Sequence, residues 1–118
     1  MTPEEFQPSE MSFLYVTVPD MDMARVIAGG AIREKLAACA NVLPHMTAIY
    51  EWDGDVEEET EVVVILKTSK TKALELAQWV EDHHPYEVPC ILELPLGRGN
   101  HDYVSWLQTQ LGSGSRLM

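Results

Sequence analysis

Residues 61–67 have the sequence Glu-Val-Val-Val-Ile-Leu-Lys. Five consecutive aliphatic residues between two charges predict a β-strand. Because successive side chains of a strand point to opposite sides, apolar residues lie on both of its faces. One face carries Val62, Val64 and Leu66, and the other carries Val63 and Ile65. The sheet that contains this strand therefore needs an apolar cover on each face.

The segment before this strand is predicted to form the other half of a hairpin. Asp53-Gly54 is a strong signal for a two-residue turn, and the extended stretch Ala38–Trp52 precedes it. We expect the return strand to begin only after the acidic run Glu57–Glu59. Such a run is typical of a solvated hairpin flank.

Two amphipathic helices are predicted on either side of this hairpin. Asp20 can cap the first, which extends to Leu36. Gly29 and Gly30 weaken this helix, and close packing against the sheet is the expected reason for them. The second helix follows Ser69 and ends near His83-His84, because Pro85 disfavours helix in the preceding residue.

The complete order of elements predicts a ferredoxin-like α+β fold. Ser12–Val18 is a first strand, Cys90–Pro95 is a last strand, and Asn100 can cap an additional C-terminal helix. The resulting βαββαβ pattern places both helices on one sheet face and the first and third strands at its centre. The second apolar face is left uncovered, so we predict an obligate homo-oligomer.

Composition indicates one domain, at residues 12–111, with a disordered leader at 1–11 and a flexible tail at 112–118. The 118 residues are 46% hydrophobic, which suits a single core. Nucleic acids and anionic membranes are bound by positively charged protein surfaces, and this chain has a formal charge of −11. The composition therefore predicts no nucleic-acid and no membrane binding. Cys39 and Cys90 form no paired motif, and the N-terminus resembles no signal peptide, which predicts a cytoplasmic chain with reduced thiols.

Several ordered motifs resemble the CutA divalent-cation-tolerance family across about residues 12–111. The motifs are Leu36–Pro44, Ile49–Gly54, Glu61–Thr68, His84–Pro89 and Tyr103-x-x-Trp106. The resemblance implies a ferredoxin-like subunit in a tight homotrimer, with long hairpins that reach over neighbouring subunits. It also implies a role in divalent-cation tolerance, and some family members bind copper or other metals.

The resemblance points to His83 and His84 as candidate metal ligands, because they match a His pair at a helix end in metal-binding members. Adjacent helical side chains point about 100° apart, which makes it difficult for one ion to bind both. Metal-binding members can add a Cys from the first strand, and Val16 occupies that position here. The pair therefore predicts weak binding of copper or another divalent cation rather than a specific site.

A second candidate site lies on the predicted strand at residues 61–67. Lys67 shares a face with Glu61, and together with Trp52 and Tyr86 it could line a pocket between subunits. The alternative is a structural salt bridge from Lys67 to Glu61 or Glu87 of a neighbour. Tyr103 and Trp106 are expected to pack the last helix.

No nucleophile with a nearby base is recognisable, so no catalytic residue and no enzymatic activity are predicted. The predicted function is that of a non-enzymatic trimer in divalent-cation tolerance. The alternative is a small-molecule-sensing trimer similar to the PII signalling proteins, with a ligand at the subunit boundary.

Overall fold

The computed structural model describes residues 5–112, which form three helices and six strands. These elements are β1 (Phe6–Pro8), β2 (Met11–Val18), α1 (Met21–Arg33), β3 (Cys39–Trp52), β4 (Asp55–Ser69), α2 (Ala73–His83), β5 (Ile91–Pro95), β6 (Arg98–Asn100) and α3 (His101–Gln110). A four-stranded antiparallel sheet has the order β3-β4-β2-β5, so the predicted first and third strands are central. The ferredoxin-like prediction is confirmed.

The small sheet formed by β1 and β6 was not predicted. Phe6 pairs with Asn100 and Pro8 with Arg98, so this part of the chain is ordered where a disordered leader was expected. Met11, the last residue of that predicted leader, is fully buried and begins β2. Residues 1–4 and 113–118, the rest of the predicted leader and nearly all of the predicted tail, lie outside the described residues.

The long β3–β4 hairpin has the predicted turn. Asp53 and Gly54 both have positive φ, 50° and 86°, as a two-residue type I′ turn requires. β4 begins at Asp55, directly after this turn, so the acidic run Glu57–Glu59 lies within the strand rather than before it. The prediction about the start of the return strand was wrong because a solvated two-stranded ribbon can carry charged residues on both of its faces.

One face of the sheet forms the core together with α1 and α2. Leu14 pairs with Leu66 and Val16 with Val64 across the two central strands, and all four are buried. Asp20 caps α1 as predicted, because its Oδ1 accepts a hydrogen bond from the Met23 N–H at 2.8 Å. This face accounts for the main hydrophobic cluster of the chain.

The opposite sheet face, called here the open face, is only partly covered. It carries Phe13, Tyr15, Glu61, Val63, Ile65, Lys67, Leu43, Leu92 and Leu94, as the strand register shows. At one end, α3 packs Leu107 and Leu111 against Met11. Farther along, Leu92 is 58% exposed and Leu94 is 49% exposed. The part of the chain that the structure describes therefore leaves a wide apolar surface on this face.

Gly30 in α1 is required by a contact with the other helix, not with the sheet as predicted. A Cβ added at Gly30 would lie 2.6 Å from an indole carbon of Trp79 in α2. The ring of His83 stacks on Trp79 with centroids 4.1 Å apart, which restricts movement of the indole. A Cβ at Gly29 meets only the mobile guanidinium of Arg33, at 3.2 Å.

Alanine at these two adjacent glycines is therefore expected to change stability in opposite directions. Gly29→Ala should raise the free energy of unfolding by about 0.5–1 kcal/mol, because the glycine loses more backbone entropy on folding. Gly30→Ala should lower it, because overpacking against Trp79 costs about 1–3 kcal/mol. Urea unfolding at one fixed protein concentration measures both. Equal stabilisation by the two variants would contradict the packing role of Gly30.

Candidate functional site

His83, in the last turn of α2, has one nitrogen that could bind a metal ion. Its Nδ1 lies 2.7 Å from the carbonyl oxygen of Trp79. Because a carbonyl only accepts, Nδ1 carries the proton and Nε2 keeps its lone pair. The side chain is exposed, so this lone pair is accessible from solvent.

His84 caps the end of α2 and has no nitrogen left for a metal ion. Its ring is buried, and Nε2 lies 2.8 Å from the carbonyl oxygen of Thr17 in β2. Its Nδ1 accepts a hydrogen bond from the backbone N–H of Tyr86 at 3.1 Å. Both nitrogens of the neutral ring are therefore used, and a metal could bind only by displacing one of these bonds. The structure places His84 as a support for the loop after α2.

Within residues 5–112, no group of three or more His, Cys, Asp or Glu side chains is arranged to hold a metal ion. Val16, at the position where metal-binding family members can carry a Cys, is fully buried in the core. Cys39 and Cys90 are both free thiols and partly buried. Of the two candidate histidines, only the exposed His83 therefore offers a cation a free ring nitrogen.

The predicted pocket residues Trp52 and Tyr86 do lie together, beside the hairpin. An open concavity of about 540 Å³ is lined by Tyr50, Trp52, Glu57, Glu58, Glu59, Tyr86 and Val88. The Tyr50 O–H donates to Glu59 at 3.0 Å, and this bond with the carboxylate is the main reason why the pKa of Tyr50 is raised. Three carboxylates and no basic side chain line this surface.

Glu61 is a buried carboxylate that contacts Tyr86, one of the residues lining this concavity. Only 8% of the residue is exposed, and the Tyr86 O–H donates to its Oε2 at 3.2 Å. Burial, followed by the Glu61 charge, raises the pKa of Tyr86. Tyr86 thus stays protonated and available as the hydrogen-bond donor of this pair.

Lys67 lies in a separate cluster where β4 meets α3. Its Nζ donates to the Tyr103 Oη at 2.9 Å and lies 5.6 Å from the centre of the Phe13 ring. The Tyr103 O–H also approaches the Cys39 Sγ, at 4.0 Å. Tyr103 was expected only to pack α3, and its contact with Lys67 was missed. The Tyr103-x-x-Trp106 spacing only indicates two aromatic rings on one face of a helix, so nothing in the sequence indicated this contact.

The four predicted pocket residues therefore do not form one pocket within a single chain. Glu61 and Lys67 are six positions apart on β4, which corresponds to roughly 20 Å along a strand. Tyr86 contacts Glu61 and lines the concavity together with Trp52, whereas Lys67 lies where β4 meets α3. A site that uses all four would need two subunits.

Residues 5–112 include no helix that is long and apolar enough to cross a membrane.

Comparisons with known proteins agree on one family. The profile described as "CutA1 divalent ion tolerance protein" matches residues 12–110. "Protein CutA homolog" of Xenopus laevis is 42% identical over 107 residues, which are 91% of this chain and 71% of that protein. "Protein CutA" of Homo sapiens is 38% identical over 103 residues, and the match covers 87% of this chain and 58% of the human protein.

Among solved structures, the chain is similar to "Structure of the Periplasmic divalent cation tolerance protein CutA from Archaeoglobus fulgidus". The TM-score is 0.81 and the sequence identity is 34%, over 86% of this chain and 98% of that one.

Proposed function

Because the chain belongs to the CutA1 divalent ion tolerance family, we propose that it is a homotrimeric, non-enzymatic protein that serves divalent-cation tolerance. The observation that carries self-association is the open face, whose leucines are about half exposed in one chain, and the threefold count comes from the family resemblance. Burying such a surface against further copies of the chain removes apolar area from water, which is the main driving force for association.

Weak binding of copper or another divalent cation forms the second part of the proposal, with His83 as the ligand. Imidazole is a good ligand for Cu(II) and Zn(II), and the free Nε2 of His83 supplies one. One imidazole without further protein ligands predicts weak binding. The acidic charge of the chain favours cations near its surface but fixes no geometry.

Replacement of His83 by alanine is expected to remove most of the Cu(II) binding that calorimetric titration detects. Binding by the unchanged chain should be weak, because the remaining ligands would be water. His101→Ala is the matched control, because His101 is also an exposed imidazole on a helix, with its Nδ1 3.3 Å from the Asp102 carboxylate. Equal losses of Cu(II) binding in the two variants would show that exposed imidazoles bind the ion non-specifically and that His83 is not the site.

A small-molecule-sensing trimer similar to the PII proteins is the second candidate function. The observation that favours it is the ammonium of Lys67, which has aromatic and phenolic neighbours but no carboxylate within the described chain. A small anion at the subunit boundary would satisfy this charge. Titration with inorganic phosphate should then give saturable binding that Lys67→Met abolishes, and no binding would discard this candidate.

A cytoplasmic location remains a proposal from the sequence. The free thiols of Cys39 and Cys90 suit a reducing compartment, whereas the archaeal relative is described as periplasmic. Fractionation of cells that express the full chain would decide between the two compartments.

A further inference from the structure

The open face carries a positive charge at one end and a negative charge at the other. Lys67 and Glu61 lie on the same side of β4, with only Val63 and Ile65 between them on that side. No ion pair involves either group within residues 5–112. Each has a single polar side-chain contact, to the phenol of Tyr103 or of Tyr86.

These phenols do not neutralise the two charges. An ammonium has three N–H donors, and the bond to Tyr103 uses one of them. A carboxylate can accept about four hydrogen bonds, and the Tyr86 O–H supplies one to Glu61. Glu61 is already only 8% exposed in one chain, and covering the open face with further subunits would remove the partly exposed Lys67 from water as well. A buried charge that is not paired is strongly unfavourable, so each group then needs an opposite charge.

Pairing within one chain is excluded by distance, because the two groups are roughly 20 Å apart along the strand. In a closed ring, each subunit presents one part of its interface to one neighbour and a different part to the other neighbour. Opposite charges at the two ends of the same face are suited to such a head-to-tail contact.

We propose that Lys67 of each subunit pairs with Glu61 of the next, so that Tyr103 and Tyr86 flank an ion pair completed only in the assembly. This inference rests on the proposed homotrimer. The proposed partner of the Lys67 ammonium is a carboxylate of a second copy of the chain. A small anion at Lys67 is the competing occupant.

A double-mutant cycle tests the pairing. A dilution series followed by sedimentation gives the subunit concentration at which half of the trimer has dissociated. It is measured for the unsubstituted chain, for Lys67→Met, for Glu61→Gln and for the combined variant. Each single change should raise this concentration about tenfold or more, because close interfacial charge pairs are strongly coupled. The combined variant should resemble the worse single variant, because the second change removes nothing further.

Lys70→Met is the matched control. Lys70 forms an ion pair with Glu10 at 3.6 Å, in which the Glu10 side chain is 80% exposed and the Lys70 side chain is 38% exposed. An exposed pair contributes little, so this substitution should leave dissociation nearly unchanged. The Lys70→Met variant therefore measures how far trimer dissociation changes when a lysine outside the proposed pair is removed.

The exchange of charges is a second test. Lys67→Glu alone should dissociate the trimer, and adding Glu61→Lys should restore it, provided that circular dichroism shows a folded chain. If the chain with exchanged charges does not fold, the double-mutant cycle with Lys67→Met and Glu61→Gln still decides the question.

If the unsubstituted chain is a trimer but the effects of Lys67→Met and Glu61→Gln on dissociation are additive, the ion pair is overturned and the trimer is not. An unchanged chain that sediments as a monomer would overturn the proposed trimer and the pair together. Saturable phosphate binding lost in Lys67→Met, with dissociation unaffected, would assign Lys67 to a small anion and overturn the pair.

Discussion

Leu92→Glu is expected to convert the proposed trimer into single chains. Leu92 lies on the open face opposite Tyr15 and is 58% exposed, so a glutamate there is solvated in an isolated chain and should not disturb its fold. In the assembly, the same carboxylate would be buried in an apolar interface without a partner, at a cost of several kcal/mol. A threefold assembly contains this substitution three times. Sedimentation should change from about three times the 13.3 kDa of one chain to a single-chain mass.

The control for this prediction is the same substitution on the other side of the molecule. Leu74 in α2 is 82% exposed and belongs to the helical layer, away from the open face. Leu74→Glu should leave both the sedimenting mass and the thermal midpoint nearly unchanged, as is usual for exposed sites. A trimeric Leu92→Glu variant would show that the open face is not the interface at that position.

The parts of the fold that depend on neighbouring residues were predictable from the sequence. The alternation of apolar side chains in β4 indicated a strand with two apolar faces, and Asp53-Gly54 indicated the turn. The β1–β6 sheet was missed because it joins two three-residue segments that are far apart in sequence. Strands this short, one with a Pro and the other with a Gly, show no recognisable alternation.

The candidate sites show a similar limit. Strand alternation correctly placed Glu61 and Lys67 on one face of the sheet. Alternation does not show, however, whether two residues on that face lie close together along the strand. Gly30 was assigned to the sheet because its partner, Trp79, comes from another helix. The role of His84 was hidden for a different reason: its acceptor is the backbone carbonyl of Thr17, and residue type does not indicate a backbone contact.

His84→Ala is accordingly expected to weaken the fold rather than to remove a metal ligand. The substitution leaves the Thr17 carbonyl and the Tyr86 N–H without their present partners and opens a space at the end of α2. An unpaired buried group costs about 1–3 kcal/mol, so the free energy of unfolding should fall by about 3 kcal/mol for each chain. Urea unfolding at a fixed protein concentration measures this loss.

Comparison with the neighbouring histidine separates structural support from metal binding. His83→Ala should change stability much less, because His83 is exposed and contributes one hydrogen bond to a carbonyl of its own helix together with its stacking on Trp79. Cu(II) titration should show the reverse order, with binding reduced in His83→Ala and retained in folded His84→Ala. Because the Nδ1 of His84 accepts from a backbone N–H, an ion must displace that bond before it can bind there. Loss of Cu(II) binding in His84→Ala with normal stability would show that the ion does displace it, and would assign both rings to the metal.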